Sequence, residues 1–343
     1  MEWYQILLLA VGIAALFLAV VLVGVAGVLY RIAILRRKEK PRTEGELPFE
    51  QMMRKKKKDY YLPSVQAGVD YMKEHRREAE EVYIDAEDGL KLHAALFTVD
   101  RPVGLIAFFH GYRSSGEADF APWMPRLKER GFDVLLVDHR AHGLSDGKHI
   151  CFGVKERRDL RAWLRYAAKR FPDLPLFVWG VSMGGATVLF GVEQEGLPPA
   201  LAGAVADCGY DVPYEEVAWF AHKIYGVPFA RLFVALADPF CRLFAHFTLY
   251  EDCGAAKHAR NAACPVMILH GTSDDVVPFE NGERIYAALQ GKKAFFVGKN
   301  ALHGCSFLEE PERCGREVAA FLDECLALKA QNASEDRHTA SGA

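Results

Sequence analysis

The segment LFVWGVSMGGATVLF, Leu176 to Phe190, runs apolar, breaks into glycines around a single serine, and turns apolar again. Gly180, Ser182 and Gly184 form the pattern G-x-S-x-G where a strand-like run meets a helix-like one. A serine at so tight a turn needs small neighbours, because its own backbone is strained and the flanking elements approach closely; its oxygen then points out of the sheet. The chemistry offered is nucleophilic attack on an acyl carbon. An unassisted hydroxyl is a poor nucleophile near neutral pH, so a base must take its proton and a third group must hold that base. The alternative for Ser182 is a helix N-cap among packing glycines.

The elements around this turn fit such a site. SVQAGVDYMKEHRREAEE spaces Val65, Val69 and Met72 on one helical face, with Ser64 available as a cap. EVYIDA and LKLHAALFTV alternate about Glu87-Asp88-Gly89 and predict a hairpin. Short apolar runs then alternate with helix-like stretches: GLIAFFHG, DVLLVD, LFVWG, AGAVADC, PVMILHG and KAFFVG, with helices expected near 119–130, 155–170, from Ser182, near 280–290 and near 309–328. Continuous apolar strands separated by helices predict an α/β fold with a mainly parallel sheet covered on both faces. Residues 210–262 interrupt the alternation with helical patterns only, and VPFARLFVALADPFCRLFAHF is too apolar for an exposed loop, so a helical lid is expected there.

With these residues in place, the chain resembles an α/β-hydrolase over roughly residues 80–328. The lid and the DHRAHGLSDG segment make it similar to the branch of monoacylglycerol-lipase-like esterases and serine aminopeptidases. The resemblance implies an eight-stranded, mainly parallel sheet and the chain order nucleophile, acid, histidine. GVSMGG, HGTSDDVVP and ALHGCSF supply Ser182, Asp274 and His303 in that order. His303, on a loop after the last strand, is the expected general base and acid, and Asp274 the group that orients it. Asp275 is the near rival of Asp274, and Asp207 an outside candidate one strand earlier. For the oxyanion, the resemblance implies two backbone N–H donors, Met183 after the nucleophile and Tyr112 after FFHG, with Arg113 the runner-up.

Other clusters carry less. Asp138, His139, His142 and Asp146 invite a metal reading, but the resemblance explains DHRAHGLSDG as the loop after a sheet strand, with turns at Gly143, Ser145 and Gly147, in which Ala141 replaces the family's more usual glycine. His110 and His270 end strands before glycine and are expected to order loops. No phosphate loop or dinucleotide fingerprint occurs, so neither cofactor nor metal is expected. The eight cysteines lack C-x-x-C spacing and the density of a disulfide scaffold, and read as scattered thiols in a reducing compartment. Asn332-Ala333-Ser334 matches a glycosylation acceptor and is read as chance.

Ile6 to Tyr30 is a run of twenty-five residues without a charge, longer than the roughly 20 needed to cross a bilayer. Glu2 and the absence of an early Lys or Arg argue against a cleaved signal peptide. Arg31, Arg36, Arg37, Lys38, Lys40 and Arg42 follow the run and place the rest of the chain in the cytoplasm. Residues 31–58 hold eleven Lys/Arg against four Glu, whereas the remaining chain is acidic, which excludes nucleic acid as a partner. The expected organisation is therefore an anchor over 1–30, a basic linker over 31–62, a hydrolase domain over 63–328 with its lid near 210–262, and a disordered tail over 329–343. Arg54 to Lys58 read either as a solvated run or as a stripe against anionic lipid.

The expected activity is cleavage of an ester or thioester through an acyl-enzyme on Ser182, with a substrate apolar on its acyl side. The anchor and the lid residues Phe229, Leu232, Phe233, Leu236, Phe240, Leu243 and Phe244 favour it. A peptidase acting at free amino termini, with Glu215 or Glu216 holding the amine, and a non-catalytic binding module remain the alternatives.

Overall fold

The computed structural model describes residues 2–37, 53–193, 196–251 and 254–341. Eight strands form one sheet: β1 (Glu80–Asp85), β2 (Lys91–Phe97), β3 (Gly104–Phe109), β4 (Phe132–Val137), β5 (Leu176–Val181), β6 (Leu201–Asp207), β7 (Val266–Gly271) and β8 (Lys293–Gly298). Their order is β1-β2-β4-β3-β5-β6-β7-β8. The hairpin β1–β2 and the pair β2–β4 are antiparallel, and every other pair is parallel. This is the α/β-hydrolase fold.

Side chains alternate across the sheet and seed a core on each face. Leu105, Ala107 and Phe109 of β3 pack with Trp163 of α5 (Glu156–Arg170), Phe190 of α6 (Met183–Gly191) and Ile285 of α10 (Glu280–Ala288). Ile106 and Phe108 turn the other way, toward Met72 of α2 (Leu62–His75), Phe120 of α3 (Gly116–Phe120), Leu127 of α4 (Met124–Glu129) and Leu322 of α12 (Pro311–Ser341). The lid comprises α7 (Pro213–Tyr225) and α8 (Ala230–Phe240), a π-helical turn over Cys241–Ala245 after Pro239, and α9 (Ala255–Ala259). The short α11 (Ser306–Glu309) precedes α12.

The N-terminal helix α1 (Trp3–Ala33) is long and apolar enough to cross a membrane, and its most apolar window is unburied by protein. Its far end is different. Ala26, Tyr30 and Ile34, four residues apart and hence on one face, are buried, and the Tyr30 ring lies 5.9 Å from Phe240 and 6.1 Å from Phe244. The chain beyond it stays on the domain: the Ile150 amide donates to the Ile34 carbonyl and the Arg36 amide to that of Lys148, each at 2.8 Å.

Residues 53–61 also lie against the domain, with Met53 and Tyr61 buried beside Leu302 and Cys305. Lys56 pairs with Asp275 and Lys58 with Glu309, both at 2.6 Å. These two lysines of the basic run thus face protein carboxylates, not a lipid surface. Residues 38–52 of the expected linker lie outside the described residues. The last helix, expected to stop near 328, continues to Ser341; no Gly or Pro interrupts residues 316–341, and Ala, Leu, Lys, Gln and Glu all favour helix. Residues 342–343 of the expected tail lie outside the described residues. Seven cysteines are buried free thiols, in keeping with the composition, and the eighth, Cys253, lies outside the description.

Candidate active site

The turn between β5 and α6 places Ser182 at φ 56°, ψ −115°, a conformation close to glycine-only space that costs a side-chain-bearing residue on the order of 1–3 kcal/mol. The glycines follow from the crowding that this turn creates. A Cβ on Gly184 would lie 1.8 Å from the Phe109 carbonyl oxygen, and one on Gly180 would lie 2.1 Å from that of Gly184. Although Ser182 occupies the N-cap position of α6, its hydroxyl caps no amide, which removes the packing alternative. It lines a cavity of about 410 Å³ instead.

The topology orders the remaining groups along the same edge. β5, β6, β7 and β8 are consecutive neighbours, so the loops following them carry Ser182, Cys208, Asp274 and His303 side by side at the carboxyl ends of the strands. The Nδ1–H of His303 donates to Asp274 Oδ2 at 2.8 Å. The other oxygen, Oδ1, accepts from the Val276 and Val277 amides at 2.9 Å each, and the Asp274 carboxylate is fully buried. Burial opposes its charge, but the facing His303 and His270 rings outweigh burial and hold Asp274 well below the usual carboxylate range. For His303 too, burial opposes the charged form, and Asp274 overcomes it to raise the imidazole above its ordinary value. The rival Asp275 is half-exposed and occupied by Lys56.

Among the described residues, neither the Tyr112 nor the Met183 amide donates to a protein acceptor, and both residues line the cavity with Ser182. The flanking amides are spoken for: Gly111 N–H donates to Asp119 Oδ2 at 2.7 Å and Arg113 N–H to His142 Nε2 at 3.1 Å. Arg113 is therefore not the free donor of this loop. Accepting that bond needs a neutral His142 ring, and burial does push its pKa down to about 3. The side chains of the loop reach α1: the Tyr112 hydroxyl donates to the Ala33 carbonyl at 2.8 Å, and the Arg113 guanidinium to those of Ile32 and Leu35.

Other groups settle around this centre. Asp138 is taken up by His93 Nδ1 at 2.7 Å and the Leu144 amide at 2.8 Å, so DHRAHGLSDG serves as a hydrogen-bonded loop, with Ala141 in the left-handed region at φ 62°. The Nε2–H of His270 donates to the Val277 carbonyl at 3.0 Å and ties down the Asp274 loop. Asp207 is wholly buried, its Oδ1 has no partner, and burial pushes its carboxyl up to about 7. Cys208 puts its sulfur 3.9 Å from His303 Nε2, and burial raises its thiol well above the ordinary value. Cys208, Asp274 and His303 form the one trio of ligand-type atoms within reach of a common ion among the described residues; it coincides with the imidazole–carboxylate pair itself.

Sequence reasoning did not single out Asp119, Cys208 or the ends of α1 as parts of this site. Asp119 sits in an undistinguished acidic turn, and the signal for α1 was apolar length alone. Of the two lid carboxylates, Glu215 is held by the Tyr214 hydroxyl at 3.2 Å, whereas Glu216 is buried and lines the cavity beside Ser182, its carboxyl making no hydrogen bond among the described residues. Burial pushes Glu216 up to about 8.

A family model described as serine aminopeptidase, S33, matches residues 100–230, and one described as prolyl oligopeptidase family matches residues 244–329. The chain is 28% identical over 205 residues to the uncharacterized protein YqkD of Bacillus subtilis, spanning 59% of this chain and 65% of that one. It is 26% identical over 215 residues to the lysophosphatidylserine lipase ABHD12 of Danio rerio, spanning 59% of this chain and 52% of the lipase. An esterase from Pyrococcus furiosus superposes with a TM-score of 0.60 at 24% identity, covering 74% of this chain and 93% of the esterase. The sheet order, the lid and these relatives together make the chain a member of the α/β-hydrolase superfamily.

Proposed function

We propose that this chain is a membrane-anchored serine hydrolase that cleaves a carboxylic ester or thioester. The observation that carries the reading is the Asp274–His303 pair at 2.8 Å, its carboxylate fully buried, set on the same sheet edge as a serine held in a strained turn over an apolar cavity. Ser182 Oγ attacks the acyl carbon while His303 Nε2 takes its proton, and Asp274 stabilises the imidazolium. The Met183 and Tyr112 amides donate to the resulting oxyanion. The bond to the alcohol or thiol breaks, and that leaving group takes the proton from Nε2. Water then attacks the acyl-serine, giving its proton to the same nitrogen, and the acid leaves as Ser182 is restored. Nε2 makes no hydrogen bond to Ser182 in the free enzyme; such contacts commonly tighten only with substrate bound.

Anchoring is supported by the length and apolarity of α1 and by the arginines that follow it, which favour a cytoplasmic domain. A similarity to a lysophosphatidylserine lipase and an esterase favours esters with apolar acyl groups. The test is hydrolysis of p-nitrophenyl esters from butyrate to palmitate by the full chain in detergent, beside Ser182→Ala. Turnover lost in the variant, with phosphonate labelling of Ser182 in the wild type, supports the proposal; neither turnover nor labelling points to a binding module.

A second reading, cleavage at a free amino terminus, is favoured by the buried, unpaired Glu216 in the cavity. An ammonium group would ionise that carboxyl and pair with it, whereas an apolar ester leaves it neutral. Aminoacyl amides turned over faster than esters, with Glu216→Gln abolishing only the former, would favour this reading.

A further inference from the structure

The cavity over Ser182 is walled by two elements that the sequence places far apart. One wall is the lid, with Val217, Phe220 and Val234; the other is the last turns of α1, with Leu29, Tyr30 and Ile34. The two walls are packed together, since the Tyr30 ring meets Phe240 and Phe244, and a Cβ on Gly27 would already touch Phe240 at 3.4 Å.

Length sets the level of this contact. A helix rises about 1.5 Å per residue and a bilayer core is about 30 Å thick, so roughly the first twenty apolar residues of α1 fill the core. The turns from Ala26 to Ala33 then lie at the boundary, where Arg31, Arg36 and Arg37 mark the headgroup level. The lid meets α1 at that level, where Phe240 and Phe244 pack on Tyr30. Its Phe229, Leu232, Leu243 and Phe244 are also exposed, Phe229 by 80%.

We propose that α1 is a wall of the acyl-binding site as well as an anchor, and that the acyl chain of a single-chain membrane lipid reaches Ser182 along the seam between α1 and α8. This rests on the hydrolase reading above. An apolar slot between a spanning helix and a lid at the boundary gives the chain an apolar path to Ser182 that does not cross bulk water. A two-chain lipid would have to spread the Tyr30–Phe240 contact, which selects for one chain.

Leu29 is the residue to change, because it faces the cavity without making the ring contacts that dock α1. The full chain carrying Ser182→Ala is placed in phosphatidylcholine nanodiscs containing a diazirine analogue of palmitic acid, irradiated, and its crosslinks mapped by mass spectrometry. Crosslinks are expected on Val217, Phe220 and Val234, and Leu29→Trp should cut them at least fivefold, while Leu16→Trp on the bare face of α1 leaves them unchanged. In the otherwise native chain, Leu29→Trp should lower the palmitate to butyrate ratio of kcat/KM at least tenfold. Crosslinks confined to the outer face of the lid, or cavity crosslinks indifferent to Leu29→Trp, overturn the proposal. Failure of the hydrolase reading would appear separately, as no butyrate turnover with the crosslinking pattern intact.

Discussion

The Tyr112 hydroxyl donates to the carbonyl of Ala33 at 2.8 Å, so the loop that presents the Tyr112 amide to the cavity is tied to the last turn of the N-terminal helix. Tyr112→Phe removes this tie and keeps the amide. A net hydrogen bond is worth about 1 kcal/mol, so kcat for p-nitrophenyl butyrate should fall by up to about tenfold with KM nearly constant. An unchanged kcat would mean that Asp119 and His142 hold the loop unaided.

The pH profile should report the His303–Asp274 pair. Only the neutral imidazole can accept the Ser182 proton, and Asp274 raises the pKa of that imidazole against the opposing effect of burial. Activity should therefore be lost as pH falls through a midpoint above the ordinary histidine value of about 6.5. Asp274→Asn should lower kcat on the order of 10⁴-fold and move the residual acid limb to lower pH. Asp207→Asn, which leaves the His303 partner in place, should retain turnover within about tenfold; a loss as deep as that of Asp274→Asn would reassign the acid.

Glu216 predicts a second pH effect, read in KM. Its carboxyl, pushed up to about 8 by burial, is neutral at pH 7 and becomes a charge inside an apolar cavity in more alkaline solution. KM for p-nitrophenyl palmitate should rise above about pH 8 in the wild type, and Glu216→Gln should flatten that rise.

The strained turn predicts a trade of activity for stability. Glycine tolerates the backbone of Ser182 at φ 56° but costs up to about 1 kcal/mol in chain entropy. Set against strain of about 1–3 kcal/mol, Ser182→Gly should stabilise the fold by roughly 1 kcal/mol, read as a higher melting temperature, with ester turnover abolished. A lower melting temperature would show that the turn is unstrained.

The parts legible in the sequence were those written locally. Strand, glycine-flanked serine and helix lie within fifteen residues from Leu176 to Phe190, and the apolar runs were long enough to announce buried parallel strands. Asp274 and His303 were nameable through resemblance and loop position, Asp274 being favoured over Asp275 by its place three residues after Gly271 and before VVP; the burial of Asp274 and the pairing of Asp275 with Lys56 agree with that choice. The contacts that escaped are those of large sequence separation: Tyr112 with Ala33, Lys56 with Asp275, and Tyr30 with Phe240. Each joins residues whose local patterns speak of something else, a loop, a charge run and a membrane span. The extension of α12 to Ser341 escaped for the opposite reason, since a polar helix with little to bury leaves no periodic signature.

Residues 34–37, directly after α1, lie on the domain through the Ile34 carbonyl and the Arg36 amide, so α1 and the domain are joined without slack. With α1 across a bilayer as proposed, the catalytic edge cannot swing out into solution; it stays at one depth and meets only what diffuses in the plane beneath it. Turnover should then follow how densely substrate populates that plane, so that diluting it with inert lipid slows the reaction even when the amount per millilitre is unchanged.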